Sequence, residues 1–221
     1  MSTGLSPAPT KIVCVGKNYV DHARELGGEP PSEPLIFFKP LSALIASGEA
    51  IRIPPGVGRV HYEGEVAFQV GRRASHVAEA DAVSYLSAVL PLNDVTARDL
   101  QNLDNQWTRA KGFDTFCAVG SPVPLEGIDI SSLLVETRVN GELRQEGRFS
   151  DVVFPIEVLV AYISRIMTLE SGDLIATGTP AGVGNLVPSD EVEVSIPGVG
   201  SVKNPVREGS GQPWSFGEQG R

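Results

Sequence analysis

Hydrophobic and polar positions change period several times along this chain, and each change predicts an element. Lys11 to Gly16 is a short β-branched run ending at glycine, which predicts a first strand. Asn18-Tyr19-Val20-Asp21 then predicts a helix opened by an Asx cap. Tyr19, Ala23 and Leu26 are its apolar stripe and Gly27-Gly28 its stop. Leu35 to Lys39, closed by Pro40, is a second strand, and Leu44 to Ile53 places turn residues around another short apolar pair before Pro54-Pro55. Val60 to Gly71 alternates as a half-buried strand. Ala78 to Leu86 reads as a short helix or an irregular link. In the apolar run Ser87 to Asn93, Pro91 predicts an edge or a bulge.

Thr96-Ala97-Arg98-Asp99 has the spacing of a capping box, so a helix is expected to begin near Ala97. Leu133 to Asn140 alternates as a strand, and Asn140-Gly141 predicts a two-residue hairpin with Glu142 to Gln145 returning. Pro155 to Met167 is the best helix, with Ile156, Leu159, Val160, Ile163 and Met167 as its buried stripe. Leu174 to Thr177, Glu191 to Ile196 and Gly200 to Val206 complete the strands. The pattern as a whole predicts a mixed α/β, β-rich fold.

Composition narrows the function. At 221 residues the chain is long enough to bury a substantial core as one large domain, expected over 11–207. Residues 1–10 are expected to be a disordered leader and 208–221 a flexible polar tail. A formal charge of −9 with no basic run excludes nucleic acid as a partner. Two cysteines cannot build a secreted-type disulfide framework, no apolar run approaches a membrane span, and the first ten residues lack the pattern of a signal peptide. The chain is therefore expected to be cytoplasmic.

Candidate chemistry centres on Tyr62-Glu63-Gly64-Glu65. Side chains two apart on a strand share a face, so Glu63 and Glu65 converge while Val66 and Phe68 pack opposite. Two anions aimed at one point need a cation, and oxygen-only ligands favour Mg²⁺, Mn²⁺ or Ca²⁺ over zinc or copper. A strand with its polar face in solvent is the competing reading. His22 falls in the stripe of the first helix with Glu25 three residues on, within reach of its imidazole. Asp94 lies at the mouth of a strand-to-helix turn, and Lys111 is flanked by Ala110 and Gly112. Gly178-Thr179-Pro180-Ala181-Gly182-Val183-Gly184 matches neither the P-loop nor the dinucleotide fingerprint. Its glycines and Thr179 suit a nest of donors for a carboxylate.

Several motifs occur in order from about Lys11 to Val206: Val15-Gly16-Lys17-Asn18-Tyr19 with His22 and Glu25, Phe38-Lys39-Pro40, Tyr62-Glu63-Gly64-Glu65, Asn93-Asp94-Val95-Thr96-Ala97-Arg98-Asp99, Ala110-Lys111-Gly112-Phe113-Asp114, and Thr177 to Gly184. Together they closely resemble the fumarylacetoacetate hydrolase family, and most of all its small acylpyruvase and oxaloacetate decarboxylase branch. Lys17 stands where relatives of that branch often carry arginine. The resemblance implies a mixed β-roll with a few flanking helices, commonly a homodimer. It implies Glu63, Glu65 and Asp94 as ligands of Mg²⁺ or Mn²⁺, His22 and Glu25 as a catalytic dyad, and Lys111 beside the substrate. Lys17, Gln101 and Thr179 are its expected substrate contacts.

The activity so implied is metal-dependent hydrolysis of the C–C bond of acylpyruvates to pyruvate and a carboxylic acid, with oxaloacetate decarboxylation as a second use of the site. The expected partner is a small 2-oxo acid. Isomerisation or decarboxylation of hydroxylated dienedioates from aromatic catabolism is the first alternative. A non-catalytic binding protein for a divalent metal or a small acid is the second.

Overall fold

The computed structural model describes residues 3–25 and 27–213. The first two residues of the predicted leader, Leu26 of the predicted helical stripe and residues 214–221 of the predicted tail lie outside the described residues.

Among the described residues the strands form three sheets. The largest runs β2 (Leu35–Lys39), β1 (Ile12–Gly16), β13 (Leu174–Ala176), β6 (Gly64–Val70), β7 (Leu86–Asp94), β9 (Cys117–Val119), β3 (Leu44–Ala46), with β10 (Val123–Pro124) also paired to β7. A second sheet orders β12 (Glu142–Arg148), β11 (Leu134–Val139), β15 (Glu191–Ile196), β16 (Gly200–Glu208) and β4 (Ile51–Ile53). It packs against β6 and β7. A small third sheet joins β14 (Gly184–Asn185), β5 (Val60–Tyr62) and β8 (Thr96–Ala97). The helices beside them are α1 (Val20–Glu25), α2 (Arg98–Leu103), α3 (Thr108–Lys111) and α4 (Ile156–Ile166). The strand-rich mixed α/β fold expected from the pattern is the one formed.

Both faces of the large sheet are covered, and this decides where the polar residues go. Val13, Val15, Val66, Phe68 and Val89 enter the main core, which also holds Ile156, Leu159, Val160 and Ile163 of α4. On the opposite face Ile12, Cys14, Ala67, Leu90, Leu92, Cys117 and Ala176 form a smaller cluster. Strand alternation then puts Glu65 of β6, Asp94 of β7 and Lys39 of β2 on the smaller cluster's face. One end of the central strands thereby acquires a set of buried charges.

Several local expectations are corrected. Val60 to Gly71 is not one half-buried strand: it breaks at Glu63 into β5 and β6, and every residue of β6 is buried because both faces are covered. Asn18 does not cap α1. Its amide nitrogen donates to the carbonyls of Phe154 and Thr177, and its oxygen accepts from Phe154 N–H, so it braces the β1–α1 turn to distant chain. At Thr96–Asp99 the helix starts as expected, at Arg98, but no box forms. The Thr96 hydroxyl donates to the Asp94 carbonyl, and Asp99 is engaged by Arg59. Pro91 marks neither an edge nor a bulge. Its carbonyl accepts from Gly120 N–H in the gap between β9 and β10, where its missing N–H costs no ladder bond.

The β11–β12 hairpin at Asn140-Gly141 and the α4 stripe are as predicted, although Met167 caps α4 and is only half-buried. Ala78 to Leu86 contains a 3-10 helix over Glu79–Tyr85. Residues of the expected leader lie against the body. Thr10 donates through its N–H and hydroxyl to Asp173, and Leu5 packs on the smaller cluster.

Candidate active site and metal centre

Glu63, Glu65 and Asp94 place carboxylate oxygens within 4.8 Å of one another, and all three residues are buried. Glu65 is the second residue of β6, Asp94 closes β7, and Glu63 occupies the break between β5 and β6. Gly64 between the two glutamates permits a close approach: a Cβ there would lie 2.0 Å from Thr137 Oγ1 of β11. The second sheet can therefore press directly on the strand that carries Glu65. Gln145 of β12 fastens the same point, accepting from Gly64 N–H and donating to Thr179 Oγ1 and the Pro180 carbonyl.

Three cations face this carboxylate floor. Lys111 Nζ donates to Glu63 Oε2 at 2.7 Å and to Asp94 Oδ2 at 2.6 Å. Lys39 Nζ donates to Asp94 Oδ1 at 2.5 Å and to the Val95 carbonyl. Arg98 donates to Glu63 Oε1, to Gln101 Oε1 and to His61 Nδ1. Burial pushes the Glu63 carboxyl up, but Lys111 and Arg98 outweigh it and hold it well below the usual carboxylate range. Glu65 lacks such a partner. Burial and the neighbouring Asp94 drive its carboxyl well above the usual range, against Lys111 and one N–H donor from Gly178. Burial and the Arg98 guanidinium lower the His61 imidazole to about 4.

The donor set fits a hard divalent ion. Three carboxylates converge, the ligands are oxygen only, and Glu65 is a carboxylate whose charge the protein's own cations leave underpaired.

The rim is built differently. His22 of α1 is buried, and its Nδ1 lies 3.0 Å from Glu25 Oε2. Glu25, with its side chain 34% exposed, also accepts from Gly182 N–H, which ties α1 to the glycine loop. α1 ends with Gly27 N–H bonded to the Arg24 carbonyl and Gly28 N–H to that of Ala23, a Schellman closure. Lys17 sits in the β1–α1 turn at φ 56° and forms no ion pair among the described residues. Gly178 follows β13 at φ +98°, where a Cβ would meet Asn18 Cβ at 2.9 Å.

Of the nine residues singled out from the sequence, Lys17, His22, Glu63, Glu65, Asp94, Gln101, Lys111 and Thr179 line one cavity of about 20 Å³, and Glu25 stands behind His22. That volume holds about one water. Two placements qualify the expected substrate contacts: Gln101 Oε1 accepts from Arg98, and the Thr179 hydroxyl donates to the Gly64 carbonyl while accepting from Gln145. Lys39, Arg98 and Gln145 were missed as site residues. Lys39 and Arg98 stand within the motifs that carry the family resemblance, but only the register of β2 against β1 shows where Lys39 points.

Strand-borne carboxylates, buried counter-cations and a His–Glu pair at the rim make this a candidate metal and acid–base site on a mixed β-rich fold. The family model for the fumarylacetoacetate (FAA) hydrolase C-terminal region matches residues 11–207, and the chain belongs to that family. Bovine (Bos taurus) oxaloacetate tautomerase FAHD1, mitochondrial, is 44% identical over 197 residues, covering 87% of this chain and 89% of that protein. Among solved structures, 5-carboxymethyl-2-hydroxymuconate delta-isomerase from Mycobacterium smegmatis matches with TM-score 0.85 and 42% identity, over 92% of this chain and 80% of that one. The 2-hydroxyhepta-2,4-diene-1,7-dioate isomerase from Mycobacterium marinum gives TM-score 0.83 and 43% identity, over 90% and 75%. No helix among the described residues is long and apolar enough to cross a membrane.

Proposed function

We propose that this enzyme transfers a proton beside the keto group of a 2-oxo dicarboxylic acid, interconverting its keto and enol forms. Glu63, Glu65 and Asp94 would hold Mg²⁺ or Mn²⁺. The observation that carries this reading is the His22–Glu25 pair beside the carboxylate floor. With Nδ1 engaged by Glu25, Nε2 is the ring nitrogen left for chemistry in the cavity. The ion, when bound, supplies a Lewis acid for the substrate's carboxylate and keto oxygens. His22 Nε2 takes the proton from the carbon next to the ketone, and a proton returned to the ketone oxygen completes the exchange. Glu25 fixes the imidazole tautomer, and Lys111 offsets the charge that grows on the oxygen. The names of the bovine tautomerase and the two isomerases support proton transfer as the shared step.

Acylpyruvate hydrolysis is the second reading, favoured by the same pair. His22 would instead deprotonate a water that attacks the distal carbonyl, releasing pyruvate and a carboxylic acid. Oxaloacetate decarboxylation and dienedioate isomerisation would use the same floor without a water. A non-catalytic binding role leaves the convergence of His22, Glu25 and Lys111 without a purpose. A cytoplasmic setting is supported by Cys14 and Cys117, both free and buried. A homodimer is supported by exposed Leu35, Phe38 and Leu41 beside the Phe37 and Trp107 rings.

The test is purified protein with Mg²⁺ and a panel of oxaloacetate, acylpyruvates and dienedioates. Enol–keto exchange is followed by ultraviolet absorbance and cleavage by pyruvate release. Exchange on oxaloacetate much faster than any cleavage is the expected result. Pyruvate release from an acylpyruvate at a higher kcat/KM would put hydrolysis first, and inactivity on the whole panel would reject the reading.

A further inference from the structure

Once a bound ion holds Glu65 ionised, the buried side-chain charges of the cavity cancel. Glu63, Glu65 and Asp94 supply three anions, and Lys39, Arg98 and Lys111 supply three cations, all in contact with those carboxylates or their neighbours. At the rim Lys17 and Glu25 are of opposite sign and reach solvent, where charge is screened. Arg98 and Lys111 line the cavity and can touch a ligand. Lys39 does not line it. Its side chain is 0% exposed, and its ammonium is spent on Asp94 Oδ1 and the Val95 carbonyl. Burying an ammonium is costly, so a role confined to packing would be served as well by an apolar side chain beside Cys14 and Cys117.

We propose that Lys39 is a positioning residue that sets the charge of the site, so that a bound divalent ion leaves two positive charges facing the substrate. The substrate form this selects is the doubly charged one, with a carboxylate and an enolate oxygen, over the singly charged keto acid. Such selection favours the species nearest the transition state over the ground state. The inference rests on the proposed function and adds to it which charge state the pocket recognises. Removing Lys39 leaves the three ligand carboxylates one cation short. The ion should then bind as well or better, while the preference for a dianion falls. Loss of a merely structural lysine would weaken the ion and both ligands together.

Oxalate and oxamate separate these outcomes, since they share a planar shape and differ by one charge. Each is titrated by calorimetry at saturating Mg²⁺ into the wild type, Lys39→Met and Lys39→Gln, the glutamine retaining a donor towards Asp94 without the charge. The wild type should prefer oxalate strongly, and both variants should lose about tenfold of that preference. Mg²⁺ affinity measured without either acid should stay level or rise. An unchanged preference in a folded variant, or parallel weakening of Mg²⁺ and both acids, would overturn the assignment. Should neither variant fold, the wild type decides: an oxalate preference no larger than that of free Mg²⁺ for the two acids rejects the charge-matched pocket, and a preference well beyond that of the free ion supports it. Absence of Mg²⁺ binding by the wild type would instead remove the proposed function, and this inference with it.

Discussion

The floor and the rim of the site differ in what holds them. Glu65 and Asp94 sit on adjacent antiparallel strands inside a sheet covered on both faces, and Lys39 and Lys111, which bond Asp94, are as buried as it is. Lys17, His22 and Glu25 sit on a turn and a six-residue helix, fastened by the Asn18 amide and the Glu25–Gly182 contact. A floor that cannot shift keeps ligand oxygens at a fixed spacing, whereas a rim held by a few hydrogen bonds can open and close. Metal binding should then belong to the floor and proton transfer to the rim.

That division is open to direct attack. The largest effect expected is complete loss of activity in chelator with recovery on adding Mg²⁺ or Mn²⁺; full turnover by metal-free protein would end the argument. Next, His22→Ala should lower kcat by about 10²- to 10⁴-fold, the usual worth of a general base, and leave Mg²⁺ affinity unchanged by calorimetry. Weakened Mg²⁺ binding in that variant would merge the two regions. Glu65→Gln should do the reverse, lowering Mg²⁺ affinity by more than the roughly 10- to 100-fold typical of outer-shell changes, with circular dichroism unaltered.

Glu25→Gln should reproduce the His22 phenotype in a milder form, because the amide still accepts from Gly182 but no longer stabilises a protonated imidazole. A kcat equal to wild type would remove Glu25 from the dyad. The smallest effect concerns protons. The Glu65 carboxyl is raised in the folded protein, so its protonated form competes with Mg²⁺, and affinity should fall as pH falls through that raised value. Calorimetry in buffers of different ionisation heat reads the proton release. Identical heats in all buffers would contradict the assignment.

How legible these features were in the sequence follows the same division. The Glu63/Glu65 convergence was readable because alternation on a strand is a local rule, and the His22–Glu25 spacing because helical period is another. Asn18 reads locally as a cap and Asp99 as the far member of a capping box, and neither takes that role. Their side chains satisfy partners 136 and 40 residues away, and no window of local sequence contains those partners. Lys39 looked like the polar end of an apolar strand. Its meaning lies in which face of β2 the pairing with β1 assigns it, and pairing register between distant strands is not written in either strand alone. Burial of β6 on both faces was hidden for a related reason, since Glu65 and Gln69 on its second face imitate a solvent face, while Gln69 donates to the Pro7 carbonyl and Glu65 joins the buried carboxylates.

Pairing over distance also has a consequence in time. β1 lies between β2 and β13, and Ile12 is matched in parallel with Leu174; β4 is matched in parallel with β16 at Ile51 and Val206. A ribosome that has released the first half of the chain has therefore released strands whose neighbours do not yet exist. β6, which carries Glu65, shares this delay, because its β13 flank is supplied only after Leu174 emerges. Parallel, non-local closure of this kind is slow and leaves open strand edges during synthesis. Stalling or truncating translation before β13 should yield a nascent chain that chaperones hold and proteases cut, with Glu63, Glu65 and Asp94 already made but not yet assembled.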